Sequence, residues 1–242
     1  FRRLHYILLV DGSYGSYPVL NPREDLKIVI RQNFRWDRVI KGLKPSMVRQ
    51  TDHTLEYRSF DNENIFPGGN EFRTFDIRNR QTKGYGVARM DHQPTFSAVF
   101  LSIDSPVKGQ NYVQQNDMDG QFSVGSTDDL GLPDYFPVTF TLRMPEQMDN
   151  RVPYVLGSFD FYDLTNPMHY EPTAQAYQMT VLLKQGVYNY CYGLAGPNDK
   201  RADDVAMEGS FSFTKNTYEI FVYHRPLGER ADQLVGYQVI NN

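Results

Sequence analysis

Cysteine is nearly absent from this chain: Cys191 is the only one in 242 residues. That excludes an internal disulfide and any metal centre built on several thiolates. Long apolar runs are missing too; none approaches the roughly 20 residues a membrane helix needs, so no transmembrane segment is expected. Lysine and arginine never form a run, and the formal charge is −4, which speaks against nucleic acid as a partner. Histidine occurs five times, at 5, 53, 92, 169 and 224, without metal-ligand spacing. No serine stands in a Gly-x-Ser-x-Gly elbow. Adjacent acids such as Asp128-Asp129 and Asp203-Asp204 read as solvated charges. Catalytic residues, metal ligands and cofactors are accordingly not expected.

Aromatic and turn residues are abundant instead. The chain holds 17 Tyr, 16 Phe, 18 Gly and 14 Pro, a profile suited to half-buried pleated surfaces punctuated by turns. No window of helical periodicity exceeds about three turns. An all-β fold is therefore expected, with strands near 4–10, 26–32, 54–60, 71–77, 86–91, 96–104 and 110–115 in the first half. Alternation is clearest in the second half, at Phe136-Val138-Phe140-Leu142 and Tyr177-Met179-Val181-Leu183. A tight turn at Gln185-Gly186 leads into a strand that places Tyr188, Tyr190 and Tyr192 on one face. Strands near 152–158, 205–213, 217–224 and 233–239 complete that half.

Charge divides the chain. Residues 1–118 carry 17 Lys/Arg and 13 Asp/Glu, residues 119–242 carry 8 and 16. The change of sign supports a domain boundary near residue 119, and the succession of short strands in each half predicts two tandem immunoglobulin-like β-sandwiches, over 1–118 and 135–242, joined by a connecting segment over 119–134. The chain opens at Phe1-Arg2-Arg3 and runs straight into strand-like sequence, so it is read as a fragment.

Several short motifs reduce to turns. Pro67-Gly68-Gly69-Asn70 lacks the following Lys-Ser/Thr and helix of a phosphate loop. Asp117-Met118-Asp119-Gly120 resembles the start of a calcium loop but lacks its bidentate Glu, and Asp-Gly is a common hairpin turn. Cys191 between two tyrosines is expected to be a buried structural thiol.

Two resemblances go further. Tyr154-Val155-Leu156-Gly157-Ser158-Phe159-Asp160-Phe161 and Leu183-Lys184-Gln185-Gly186-Val187-Tyr188-Asn189-Tyr190 resemble the glycogen- and starch-binding immunoglobulin-like modules. Such a likeness implies a carbohydrate-binding module with Phe159, Phe161, Tyr162 and Lys184 as its platform. Over a longer span, the chain resembles the type IX secretion system plug protein family of Bacteroidota. The segments that carry this are 26–37 (Leu26 to Asp37), Gly42-Leu43-Lys44-Pro45, 66–76 (Phe66 to Asp76), 183–190, Glu208-Gly209-Ser210, 218–223 and 236–241. What it implies is a non-catalytic periplasmic protein, associated with the outer membrane, that contacts a translocon barrel. Members also carry a leader and a further N-terminal β domain. Trp36, Phe66 and Asn70 are the candidate partner contacts; packing is the expectation for Trp36, since Trp is usually buried.

Overall fold

Alternating apolar and polar side chains decide most of the strands. The structure is a computed structural model and describes residues 2–3, 19–49, 51, 54–58, 64–93, 96–128 and 132–241. Within them the chain is almost entirely β-sheet. Two four-residue helices, α1 (Pro22–Asp25) and α2 (Val205–Glu208), and one 3-10 turn are its helical elements. The strand expected over 4–10 lies outside the described residues.

In chain order come β1 (Arg2–Arg3), β2 (Leu26–Gln32), β3 (Val39–Leu43), β4 (Met47–Arg49), β5 (Thr54–Glu56) and β6 (Ile65–Phe66). Then follow β7 (Arg73–Asp76), β8 (Val87–His92), β9 (Ser97–Leu101), β10 (Phe122–Val124), β11 (Tyr135–Arg143) and β12 (Val152–Leu156). The last are β13 (His169–Glu171), β14 (Ala176–Lys184), β15 (Gly186–Ala195), β16 (Thr217–His224) and β17 (Gln233–Asn241).

These strands form two compact units that are not consecutive in sequence. The first comprises residues 1–68 and 215–242; the second, 69–214, is inserted into it. This corrects the expected boundary. Residue 119 falls inside the second unit, and the tandem order gives way to an insertion. The cause is pairing across the whole chain: β2 lies antiparallel to β16, with Ile30 opposite Ile220 and Ile28 opposite Val222. The charge asymmetry does track the units. The first carries 14 Lys/Arg against 11 Asp/Glu and the second 11 against 18.

In the first unit a four-stranded sheet runs in the order β17-β16-β2-β3. One face buries Leu26, Ile28, Ile30, Tyr218, Ile220 and Val222 against Leu43, Leu55, Tyr57 and Phe66. Each such fully buried aliphatic side chain contributes about 1.5–3 kcal/mol.

The second unit has two sheets. One is β10-β15-β12 with β7 also on β15; the other is β13-β14-β11-β9-β8, in which β9 and β11 pair in parallel. Its core takes Phe75 from β7, Tyr188, Tyr190 and Tyr192 from β15, and Val138, Phe140 and Tyr177 from the five-stranded sheet. Rings interlock there edge to face: Phe140 to Tyr190 at 5.1 Å and Phe75 to Phe140 at 5.6 Å. The expected tyrosine face of β15 is thus buried as a whole.

Some expectations fail locally. Residues 110–115 form no strand, as Gln110, Asn111, Gln114 and Gln115 leave no apolar face to bury; Tyr112 there donates its hydroxyl to Glu71 and the Phe213 carbonyl. Within 205–213 the chain makes the helical turn α2 and then irregular backbone. The turn at Asp119-Gly120 is as expected, with φ of 52° and 79°; a Cβ at Gly120 would overlap the Tyr162 hydroxyl.

Candidate functional site

The outward face of the first unit's sheet is where solvent-exposed chemistry gathers. Strand alternation sends Lys27, Val29 and Arg31 of β2 to the side opposite the core. Glu219, Phe221 and Tyr223 of β16 share that side, as do Leu234, Tyr237 and Val239 of β17 and Val39 and Lys41 of β3, by register.

Trp36 reaches this face from the loop between β2 and β3. Asn33 and Phe34 both take left-handed φ, 52° and 59°, which turns the chain sharply. The loop is closed by Gln32 N–H donating to the Arg38 carbonyl at 3.0 Å. Inside it, the buried Arg35 guanidinium grips Asp37 with two bonds of 3.0 and 2.7 Å. Trp36 is thereby held 54 % exposed, against the expectation that it packs inside. Its ring stacks beside Phe221, centroids 6.0 Å apart and planes 24° apart. Phe221 continues the row to Tyr223 at 6.4 Å and 19°, and touches Tyr237 at 5.2 Å.

Arg31 underlies this row. Its guanidinium carbon lies 4.4 Å from the Trp36 centroid and 5.3 Å from that of Phe221. With the ring separation these sides close a triangle that sets the cation about 3.8 Å off the line between the rings, a van der Waals distance. The cation thus lies beside both rings rather than between them, and solvent reaches Trp36 at 54 % exposure and Phe221 and Tyr223 in part. Arg31 Nε donates to Glu219 Oε2 at 2.6 Å, and both side chains are largely buried beneath the rings. Tyr237 donates its hydroxyl to Glu219 Oε1 at 2.9 Å, and that bond to a carboxylate raises the phenol pKa. The Lys41 ammonium stands 6.0 Å from the Trp36 ring.

A second polar cluster lies inside the second unit. Arg73 of β7 forks onto Glu208 of α2 with bonds of 3.1 and 2.9 Å, and donates to Asp104 at 2.8 Å and to the Ser105 carbonyl at 2.9 Å. Tyr190 and Tyr192 both donate to Asp104 Oδ2, at 2.7 and 2.8 Å. Tyr192 N–H donates to Glu208 at 2.8 Å. Burial raises the Glu208 pKa in spite of Arg73. Burial and then the Asp104 carboxylate push Tyr190 far up. Each of these groups is consumed by the others, as a structural knot requires. Asp117 is similarly enclosed: it accepts from Phe72 N–H at 2.5 Å and Asp119 N–H at 2.8 Å, and burial lifts its pKa to about 6. Asp128, expected as a solvated charge, instead binds Arg80 and Gln185, at 3.1 and 2.8 Å. Among the described residues no group of three or more His, Cys, Asp or Glu could hold a metal ion, and no helix is long and apolar enough to cross a membrane.

The other sequence-selected residues are scattered. Phe66 is 3 % exposed in the first unit's core, tilted on Tyr218 at 5.6 Å, and is not a contact residue. Asn70 is spent locally, donating to the Glu208 carbonyl and accepting from Glu71 N–H. Tyr162 is 4 % exposed against Phe72 and gives its hydroxyl to the Gly120 carbonyl, so it cannot stack on a sugar. Phe159 stands edge-on to Tyr188 at the core margin, and Lys184 sits 5.6 Å over the Tyr135 ring. Phe161 alone of the four is an open ring, 78 % exposed. Cys191 is buried, as its setting suggested. Sequence reasoning missed Phe221, Tyr223, Tyr237 and Arg31. The aromatic alternation of 217–224 was the available signal, but nothing local to it names Trp36 as neighbour.

No family model matches the chain, and no curated protein does. Among solved structures, it is similar to the crystal structure of a hypothetical protein from Parabacteroides merdae. The TM-score is 0.82 and the identity 29 %, over 94 % of this chain. The chain spans 57 % of the length of that protein.

Proposed function

We propose that this chain is part of a non-catalytic periplasmic protein that works by protein–protein contact, as a plug or accessory factor of an outer-membrane type IX secretion translocon. Each unit is taken as an immunoglobulin-like sandwich in type. The translocon follows from the sequence resemblance of 26–76 and 183–241. The observation that carries a contact role is how the chain distributes its chemistry. Its buried charged groups are closed on one another, while large apolar side chains stand in solvent: Phe161, Leu182 and Phe213 in the second unit are each at least 65 % exposed. Exposed aromatic and aliphatic groups of this size mark surfaces that meet a partner. The action would be steric, a folded β body held at a pore mouth by a reversible interface.

Affinity-tagged protein, expressed in an organism that carries the secretion system and extracted gently, is expected to bring down an outer-membrane barrel. Phe161→Ser combined with Leu182→Ser should lower that recovery while leaving the fold intact. Purification without any barrel, at full occupancy of the tag, would refute the proposal.

A further inference from the structure

We propose that the outward face of the β17-β16-β2-β3 sheet binds a neutral or weakly acidic oligosaccharide, whose sugar rings lie flat on the row Trp36–Phe221–Tyr223. This assignment is independent of the translocon and uses none of the residues first selected for sugar binding.

Three observations select the ligand. The first is shape. Three rings follow one another at 6.0 and 6.4 Å, neighbouring planes inclined by 24° and 19°. Arg31 lies against the first two from the sheet side, while Trp36 and the neighbouring Tyr237 are 54 % and 52 % exposed and Phe221 and Tyr223 partly so, which leaves the row reachable from solvent. Such a strip suits a ligand made of successive flat rings, laid face to face. Peptide anchors instead seek pockets for projecting side chains.

Charge is the second. Nucleobases also stack on rows of rings, but each nucleotide brings a phosphate that a basic groove must neutralise. On this face Arg31 is closed by Glu219 at 2.6 Å and Lys27 by Asp232 at 2.8 Å. Lys41 is the cation there for which the described residues supply no carboxylate. One ammonium matches a neutral chain, or one bearing an occasional carboxylate, and not a polyanion.

The third is the polar rim. Sugar hydroxyls leaving water need hydrogen-bond partners at the edge of the stacking surface. The Lys41 ammonium stands beside Trp36, the Tyr237 hydroxyl donates to Glu219 and keeps its lone pairs for a ligand, and Tyr223 ends the row. The Arg31–Glu219 pair locks the rings from below, so little ordering is left for binding to accomplish.

Trp36 is the only tryptophan in the chain, so its fluorescence reports on this face and nowhere else. The full chain is titrated with cellohexaose, maltohexaose, mannohexaose, xylohexaose and a xylohexaose bearing one glucuronate, with calorimetry alongside. At least one is expected to give a saturable change in emission at or below millimolar concentration. Trp36→Ala and Phe221→Ala should each weaken that binding by about tenfold or more, the value of one stacked ring. Phe161→Ala, on the other unit, should leave it unchanged. Circular dichroism and the denaturation midpoint confirm that the variants fold. Silence of all five sugars at millimolar concentration overturns the assignment, as does binding that survives both substitutions. Tighter binding of oligothymidylate or of a proline-rich peptide than of any sugar also overturns it. Barrel recovery is read separately, so failure here leaves the contact role standing, and failure there leaves this one.

Discussion

Replacing Arg73 by methionine would test whether the knot in the second unit holds that unit together. Arg73 supplies four hydrogen bonds, two of them to a Glu208 carboxylate that is almost wholly buried. Methionine fills much of the same volume but leaves Glu208 and Asp104 without their cation. Removing one partner of a buried pair costs about 3–5 kcal/mol, because the surviving charge remains desolvated. The Glu208 pKa is already raised by burial, and loss of Arg73 raises it further. A carboxyl whose folded-state pKa exceeds its unfolded value favours folding below the unfolded value. That contribution is lost as pH rises through the folded value. The penalty of Arg73→Met, taken as the difference from wild type at each pH, should therefore shrink at about pH 5 relative to about pH 8. Adding Glu208→Gln removes the stranded charge and should recover at least about 2 kcal/mol. Arg73→Lys keeps the charge without the fork and should fall between. Urea unfolding followed by tyrosine absorbance and circular dichroism measures all four. A cost under about 1 kcal/mol at neutral pH, with no pH dependence, would show that the knot is ornamental to stability.

Two further expectations follow from the second unit. Asp117, with a pKa near 6 against an ordinary 3.8, should make the wild type lose up to about 3 kcal/mol as pH rises from about 4 through about 6. Asp117→Asn should flatten that slope in pH-resolved denaturation, and an unchanged slope would exclude Asp117 as its source. Phe140→Ala, which removes a ring packed edge to face on Phe75 and Tyr190, should cost about 3–5 kcal/mol, whereas Phe161→Ala on the open surface should stay within about 0.5 kcal/mol; thermal melts compare them directly.

β2, β11, β14, β16 and β17 lie where sequence patterns put them, most clearly β2 and β11, whose every second residue is buried. The short β3 and β13 were missed, as Val39-Ile40-Lys41-Gly42-Leu43 carries too little pattern to stand out. Residues 110–115 hold only Tyr112 and Val113 as apolar side chains, side by side, too little pattern to bury one face of a strand. The domain boundary was misplaced for a different reason. The charge asymmetry is real, but composition cannot say that 26–32 pairs with 218–224, and it is this pairing that makes the second unit an insertion in the sequence of the first. The aromatic face suffers the same limit. Arg31, Trp36, Phe221 and Tyr237 meet only through strand register between the two ends of the chain.

That insertion also explains the unusual amides and glycines of 32–33 and 67–70. The chain passes between units twice, at 68/69 and again at 214/215. Within the first unit, Gln32 donates to the Pro67 carbonyl at 3.0 Å and Asn216 to that of Gly68 at 2.9 Å. Asn33 donates to Asn216 at 2.8 Å and accepts from Thr217 N–H at 2.9 Å. Within the second, the Gly69 carbonyl accepts from Phe211 N–H at 2.8 Å and from the Thr214 hydroxyl at 2.9 Å. Asn70 donates to the Glu208 carbonyl at 3.1 Å. Backbone leaving a sheet has carbonyls with no ladder partner, and buried ones must find another. Asn, Gln and Thr side chains supply those partners at both passages, and Gly69, at φ of 69°, turns where a side chain would be strained. The Pro-Gly-Gly-Asn segment is thus a chain crossing, and its glycines serve the protein's own backbone.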